Sequence, residues 1–201
     1  MKLYYVHDPM CSWCWAFRPI YLQLVEKLPK HIKFIRLLGG LAPDSDEPMP
    51  DKIRHYVISN WQQIQKEIPS TQFNYDFWKI CQPRRSTYPA CRAVIAARQQ
   101  GEHYDELMTY AIQQAYYLQA KNPSDAETLI EIAEYIGCDT EQFKKDLASE
   151  QINAILQQEL TTARALKLNS FPGFLLISEY TQRHIAADYH DVDKLLLEIT
   201  S

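Results

Sequence analysis

The chain has 201 residues, of which 46% are hydrophobic and 23% are charged, and its formal net charge at pH 7 is −4. This length allows one large domain or two small ones, and the composition is that of an ordinary globular protein. The negative charge gives no reason to expect nucleic acid or an anionic membrane as a partner. With 5 glycines and no GxGxxG or GxxxxGK[ST] pattern, a Gly-rich phosphate-binding loop is nearly excluded.

The N-terminal residues, the length of the apolar runs and the cysteine count bear on the cellular compartment of the protein. Residues 1–8 are too few and too polar for a signal peptide, and no run of about 18 apolar residues could span a bilayer. We therefore expect a cytoplasmic protein with no membrane partner. The 5 cysteines are an odd number, which does not suit a fully paired secreted framework. In a reducing compartment, a Cys-x-x-Cys sequence is more often catalytic or metal-binding than structural.

The first part of the chain is predicted to form a strand, a helix and a second strand. Residues 3–6 are a short apolar run, and residues 12–28 carry apolar side chains at helical spacing. Residues 32–38 alternate and end at Gly39-Gly40, which either ends the strand or lines a cleft. A strand–helix–strand of this length is a βαβ unit with parallel strands.

The remaining patterns divide the chain into two parts. Proline and acidic residues predict a loop over 43–50, and helical patterns follow to about residue 166. Residues 173–199 then predict two strands and a final helix. We therefore expect an α/β protein in which residues 1–42 and 168–201 form one sheet domain and residues 43–167 form an inserted helical domain.

Two helices of the middle part carry specific start signals. Ser124-Asp125-Ala126-Glu127 has the form of a capping box, in which the serine would cap the helix that follows. Asp139 is predicted to cap a shorter helix further along the chain.

Cys11-Ser12-Trp13-Cys14 lies at the N-terminal end of the first predicted helix. Two cysteines three apart can share one helical turn, close enough to form a disulfide or to bind a metal. The unpaired N–H groups and partial positive charge of a helix N-terminus favour a thiolate on the first cysteine. The spacing alone leaves a redox dithiol, a zinc site and a chance pair open. In a redox dithiol, Cys11 would attack a disulfide and Cys14 would resolve the product.

The chain resembles the DsbA-like branch of the thioredoxin superfamily. The resemblance covers nearly the whole chain and is carried by the βαβ–helical–ββα order and by two motifs, Asp8-Pro9-Met10-Cys11-Ser12-Trp13-Cys14-Trp15 and Ser170-Phe171-Pro172-Gly173. Within the branch, the chain is similar to the unexported bacterial proteins described as protein-disulfide isomerases. The resemblance implies a thioredoxin-like fold with a large all-helical insertion, Cys11 as the exposed nucleophile, Cys14 as its buried partner and a cis peptide bond before Pro172. Taken alone, Pro172 would more simply be a trans proline that starts a strand.

The resemblance also implies an activity. It points to a thiol–disulfide oxidoreductase of the reductase or isomerase type that acts on protein or small-molecule disulfides and needs no cofactor beyond its redox-active disulfide. Phe171, Pro172 and Trp13 would contact the substrate, and glutathione is a candidate co-substrate. The middle dipeptide Ser12-Trp13 is neither the Pro-His of the periplasmic oxidases nor the Gly-Pro of thioredoxin, which leaves the direction of electron flow open.

Two further groups are candidate parts of the site. His7 and Asp8 lie four and three residues before Cys11 and are candidate modulators of its sulfur, although His7 could simply be a strand-end hydrogen bonder. Arg84, Arg85 and Ser86 would suit a carboxylate or another anion, such as glutathione, which the kappa-class glutathione transferases hold with help from their helical domain. The alternative for the whole stretch 84–92 is a helix N-cap with a solvated basic rim.

Two other functions stay open beside the oxidoreductase. One is a glutathione-dependent transferase or isomerase of the kappa class, although those relatives usually carry a serine at the position of Cys11 and lack the second cysteine. The other is a non-enzymatic metal- or partner-binding module that uses the cysteine pair as a clip. No metal is expected, because Cys81 and Cys91 together with the Cys-x-x-Cys pair would give a ligand spacing unlike that of a zinc ribbon or knuckle. Cys81, Cys91 and Cys138 are each more often small buried hydrophobic residues.

Overall fold

A computed structural model describes residues 1–201 and contains one four-stranded sheet. The strands are β1 (Lys2–His7), β2 (Lys33–Leu38), β3 (Gly173–Ile177) and β4 (Gln182–Ile185), and their order across the sheet is β2-β1-β3-β4. β1 runs parallel to β2, β3 is antiparallel to β1, and β4 is antiparallel to β3. The predicted α/β, thioredoxin-like fold class is thereby confirmed.

Nine helices surround this sheet. α1 (Ser12–Lys27) connects β1 to β2, and α9 (Val192–Thr200) follows β4. The other helices lie between β2 and β3 and are called the helical segment below: α2 (Asp51–Glu67), α3 (Phe77–Ile80), α4 (Tyr88–Gln99), α5 (His103–Tyr117), α6 (Ala126–Tyr135), α7 (Thr140–Leu147) and α8 (Glu150–Ala165). None of the nine is both long enough and apolar enough to cross a lipid bilayer.

The two predicted helix caps have different outcomes. The Asp139 side chain accepts a hydrogen bond from Gln142 N, which confirms it as the cap of α7. The predicted capping box at residues 124–127 is wrong, because α6 begins at Ala126 and the Ser124 hydroxyl instead donates to the carbonyl oxygen of Ser86 at 2.7 Å. Because its hydroxyl binds a residue that is distant in the sequence, Ser124 does not cap α6.

Apolar side chains form two large separate cores. The first lies between the sheet and the helices α1 and α9 and includes the buried side chains of Leu3, Phe17 and Phe174. The second lies inside the helical segment and includes Ile95 and Leu156. Burial of each large aliphatic or aromatic side chain contributes roughly 1.5–3 kcal/mol, so each part has a substantial hydrophobic stabilisation of its own.

A cluster of ion pairs joins the sheet to the helical segment. Arg36 on β2 pairs with Asp105 on α5 at 2.9 Å and also with the neighbouring Glu106. Glu106 pairs with Arg18 on α1 at 2.6 Å, and Asp105 pairs with Arg98 on α4 at 3.0 Å. Burial would lower the pKa of Arg36, but the adjacent carboxylates raise it well above its usual value, so the guanidinium remains charged.

The ion-pair cluster generates a stability prediction. In the Arg36→Met variant, two carboxylates would lose their main partner, and the side chain of one of them, Asp105, is only 10% exposed. Asp105 keeps Arg98 and Glu106 keeps Arg18, but a buried carboxylate that loses one of its two arginine partners is still destabilised. We therefore expect the free energy of unfolding to fall by about 3 kcal/mol, measured by urea denaturation.

The matched control is Lys27→Met, which breaks the exposed pair between Lys27 and Asp193. An exposed pair is worth at most about 1 kcal/mol, so this variant should unfold close to the wild-type midpoint. Equal losses in the two variants would show that the Arg36 cluster does not hold the two parts together.

Candidate functional site

The two cysteines of the CSWC motif lie at the start of α1, directly after β1. Cys11 is the N-cap residue, and its sulfur accepts a hydrogen bond from the backbone N–H of Cys14 at 3.4 Å. Both cysteines are free thiols. Cys11 is 5% exposed and Cys14 is 2% exposed, so the expectation of an exposed nucleophile at position 11 is wrong. Cys11 is nevertheless the one that lines a surface cleft, and Cys14 lies behind it.

The loop before β3 meets Cys11 from the other side. The peptide bond between Phe171 and Pro172 is cis, and the Cys11 thiol lies 3.5 Å from the carbonyl oxygen of Phe171. The Phe171 ring occupies the space beside Gly39, where an added Cβ would lie only 2.0 Å from a ring carbon. Gly39 therefore leaves the space that the Phe171 ring occupies.

The cleft above Cys11 has a volume of about 200 Å³. One wall consists of Trp13 and the α2 residues Tyr56, Val57 and Asn60, and the indole N–H of Trp13 donates to the Asn60 side chain at 3.4 Å. The α2 contribution has no signal in the sequence, because α2 is far from Cys11 in the chain and its cleft-facing residues form no motif. Residues 84–87 and Tyr116 also line the cleft.

Cys14 is held as a protonated thiol. Burial raises the pKa of the Cys14 thiol well above its usual value, and the neighbouring Cys11 raises it further through a hydrogen bond and its charge. Cys14 is consequently uncharged at neutral pH. Its thiolate form becomes accessible only when another group takes its proton.

His7 lies behind the cysteines and does not line the cleft. Burial lowers the pKa of this imidazole well below its usual value, and the positive charge of Arg36 lowers it further. The His7 Nε2 atom lies 3.2 Å from the Arg36 guanidinium, so the neutral ring accepts a hydrogen bond there. His7 thereby connects the end of β1 to the ion-pair cluster.

Asp8 is completely buried directly below the cleft. One carboxylate oxygen accepts from Met10 N at 2.8 Å, and the other accepts from Leu41 N and from the Thr87 hydroxyl, both at 2.7 Å. Burial raises the pKa of Asp8, these hydrogen bonds oppose the rise, and the net change is upward. The carboxylate thus joins the CSWC turn to two other segments of the chain.

The structure separates the roles of Arg84, Arg85 and Ser86. Arg84 pairs with Asp125 at 2.6 Å, and the Ser86 hydroxyl accepts from Ser45 N at 3.3 Å. Arg85 lines the cleft but takes part in no salt bridge or side-chain hydrogen bond, which leaves its charge available to a ligand. The stretch 84–92 does contain the N-cap residue of α4, Thr87, although the Thr87 side chain makes no capping hydrogen bond.

No group of three or more histidine, cysteine, aspartate or glutamate side chains is arranged to hold a metal ion. Cys91 and Cys138 are buried in the core of the helical segment, and Cys81 is half-buried with its thiol 3.0 Å from the carbonyl oxygen of Ala120.

Several curated proteins are similar to the chain in sequence. The ClpXP adapter protein SpxH of Bacillus subtilis is 26% identical over 173 residues, which cover 86% of this chain and 56% of that protein. The SpxH protein of Halalkalibacterium halodurans is 23% identical over 183 residues, which cover 89% of this chain and 59% of that protein. The chain therefore spans less than two thirds of the length of these relatives.

Solved structures share the fold. A candidate protein disulfide isomerase from Nitrosomonas europaea superimposes with a TM-score of 0.81 at 22% identity, covering 98% of this chain and 95% of that chain. The cytosolic disulfide reductase DsbM from Pseudomonas aeruginosa superimposes with a TM-score of 0.79 at 20% identity, covering 100% and 97%. At these identities the likeness establishes the arrangement of helices and strands.

A sequence profile of the family described as Thioredoxin matches residues 4–191. The match begins within β1, includes the CSWC turn, the helical segment and the loop before β3, and ends just before α9. The chain belongs to the thioredoxin family.

Proposed function

We propose that the protein is a thiol–disulfide oxidoreductase in which Cys11 is the nucleophile and Cys14 is the resolving thiol. The main observation in support of this proposal is that the Cys11 sulfur, at the floor of the cleft, contacts both the Cys14 N–H and the Phe171 carbonyl oxygen. The N–H and the α1 N-terminus place a hydrogen-bond donor and positive partial charge at the Cys11 sulfur. The likeness to a protein named cytosolic disulfide reductase supports the same activity.

The reaction is thiol–disulfide exchange. The Cys11 thiolate attacks one sulfur of a substrate disulfide, a Cys11–substrate disulfide forms, and the first half of the substrate leaves as a thiolate that takes a proton from water. Cys14 then loses its proton and attacks the Cys11 sulfur, which releases the second half as a thiol. The substrate gains two electrons and two protons, and the protein is left with a Cys11–Cys14 disulfide.

The Phe171–Pro172 loop is suited to hold the substrate during this exchange. In the free protein, the Phe171 carbonyl accepts from the Cys11 thiol. Once Cys11 is a thiolate or part of a mixed disulfide, that carbonyl has no donor and can accept an N–H from the substrate. Trp13 would cover the substrate from the opposite side of the cleft.

The shape and charge of the cleft favour a small disulfide that carries a carboxylate. Because Cys11 is 5% exposed, a flat protein surface could not bring its disulfide to the sulfur without rearrangement, whereas a small or extended molecule could enter. Arg85 offers the unpaired cation on the cleft wall. Glutathione has this size and charge, and the structure of DsbM with GSH superimposes with a TM-score of 0.78 at 20% identity.

The relatives named ClpXP adapter protein SpxH make protein binding a second candidate function. An adapter would recognise its protein partner through surface contacts, and substitution of a cleft thiol would leave that binding unchanged. In an oxidoreductase, the same substitution would abolish the turnover of disulfides. The cysteine variants described next therefore distinguish the two functions.

Cysteine variants test the nucleophile and the resolving thiol. In an insulin-reduction assay with dithiothreitol, we expect Cys11→Ser to abolish the protein-dependent rate, because no other cysteine lines the cleft. Cys14→Ser should also lose turnover, because the mixed disulfide at Cys11 is no longer resolved within the protein.

The control is Cys81→Ser, which keeps a donor for the Ala120 carbonyl and lies outside the cleft. It should reduce insulin at the wild-type rate. A Cys11→Ser protein that still reduces insulin would contradict the proposed function.

Arginine variants test the carboxylate-binding wall. We expect Arg85→Met to raise the KM for glutathione disulfide about tenfold, because a hydrogen bond to a charged group is worth about 1.5–3 kcal/mol. The KM for the uncharged hydroxyethyl disulfide should stay the same.

The matched control is Arg92→Met, since Arg92 is already paired with Asp44 and does not line the cleft. An equal rise in KM for both disulfides in Arg85→Met would indicate general damage to the cleft and would remove Arg85 as the carboxylate contact.

A further inference from the structure

Cys14 must lose a proton before it can attack the Cys11 sulfur, and the cleft gives that proton no exit. Cys14 is 2% exposed and does not line the cleft. In the second step of the exchange, the substrate half that is bound to Cys11 also occupies the space above the sulfur. The proton therefore has to leave on the other side of the dithiol.

A small cavity, called the rear cavity below, lies behind the dithiol next to the ion-pair cluster. The residues on its wall include Cys14, His7, Arg36, Glu106 and Gln113. None of its wall residues also lines the cleft above the dithiol. Its volume of about 10 Å³ lies at the lower limit of the roughly 10–15 Å³ that a site for one water molecule needs.

Two residues on the wall of the rear cavity carry a buried polar atom that has no hydrogen-bond partner within the protein. One atom is Gln113 Oε1, an acceptor on a residue that is 3% exposed, and the other is Arg36 Nε, a donor. Buried polar atoms are costly when unpaired, so each calls for a partner. One water molecule would serve both, because it can accept from Arg36, donate to Gln113 and still accept from the Cys14 thiol with its second lone pair.

We propose that Gln113 and Arg36 hold a water molecule behind Cys14 and that this water carries away the Cys14 proton in the second step of the exchange. The Cys14 sulfur attacks the Cys11 sulfur, and the bond between Cys11 and the substrate sulfur breaks. The substrate half leaves as a thiolate that takes a proton from water in the cleft, while the Cys14 proton passes through the rear cavity to solvent. Gln113 is thus a positioning residue. The inference rests on the proposed function, since it concerns one step of the same reaction.

Glu106 connects the rear cavity to solvent. Its carboxylate accepts from Arg18 at 2.6 Å and from the Tyr21 hydroxyl at 3.0 Å, and its side chain is 32% exposed. Burial would raise the pKa of this carboxyl, but the charges of Arg36 and Arg18 lower it, and the net change is downward. A proton that reaches Glu106 is therefore released to solvent. The His7 ring already accepts from Arg36 and does not compete for the proton.

The experiment measures the two steps of the exchange separately. Reduced protein is mixed with a range of excess glutathione disulfide concentrations at pH 7.5, the reaction is stopped with acid at intervals, and intact mass counts the glutathione adduct and the protein disulfide. Formation of the adduct reports the attack by Cys11, and its conversion to the protein disulfide reports the attack by Cys14.

Gln113 variants are expected to change only the second step. Gln113→Met removes the acceptor oxygen and keeps a side chain of similar length. We expect it to convert the adduct about tenfold more slowly than wild type, the effect of one lost hydrogen bond, and to form the adduct at the wild-type rate. Gln113→Leu is a second variant without the oxygen in case Gln113→Met does not fold. Gln113→Glu keeps an acceptor oxygen and should convert the adduct at close to the wild-type rate.

The matched control is Gln114→Met, the same change at the next residue of α5, which does not line the rear cavity. It should match wild type in both steps. If the wild-type protein forms neither an adduct nor a Cys11–Cys14 disulfide, the proposed function itself is wrong. If wild type reacts but Gln113→Met converts the adduct equally fast, slows both steps alike, or is no slower than Gln113→Glu or Gln114→Met, only the inference about Gln113 is overturned.

Discussion

The pairing of β1 with β3 is the constraint on which the candidate site depends. The two strands are antiparallel, and Val6 lies opposite Gly173. In such a pair, the chain that leaves one strand lies beside the chain that enters the other. Cys11, just after β1, and Pro172, just before β3, are therefore brought to the same edge of the sheet although 160 residues separate Cys11 from Phe171. Slippage of this register would separate the sulfur from the loop.

The helical segment packs over this edge of the sheet and forms a cleft above Cys11. The ion pairs of Arg36 with Asp105 and Glu106 hold α5 over the sheet, and the Asp8 hydrogen bonds hold the start of α4 against the CSWC turn. Residues of α2 then close the opposite side. The low exposure of Cys11 is thus a property of the assembled protein and follows from the packing of segments that are distant in sequence.

Most of the fold could be predicted from the sequence, because it depends on local periodicity. The alternation of residues 32–38 and the apolar run at 173–177 match β2 and β3 closely. Residues 124–127 were misinterpreted, because the hydrogen bond from Ser124 to Ser86 is a tertiary contact that no local pattern encodes. The short helix α3 was also missed, since four residues are too few to show a helical period.

Only those parts of the candidate site that are contiguous in the sequence could be predicted. The CSWC turn and the loop before β3 are recognisable as motifs, and the structure brings them within hydrogen-bond distance. The sequence could not separate Arg85 from Arg84, because the difference lies in the Asp125 partner that only Arg84 reaches. Nor could it predict the burial of Asp8, which requires Leu41 and Thr87 to close around it.

The central claim is that Cys11 receives the substrate sulfur and Cys14 removes it. The most direct measurement is intact mass spectrometry of Cys14→Ser and Cys11→Ser after exposure to glutathione disulfide. The account predicts one stable glutathione adduct at Cys11 in Cys14→Ser, no adduct at Cys14 in Cys11→Ser, and an intramolecular disulfide in the wild-type protein. An adduct at Cys14 in Cys11→Ser, or none at Cys11 in Cys14→Ser, would contradict it.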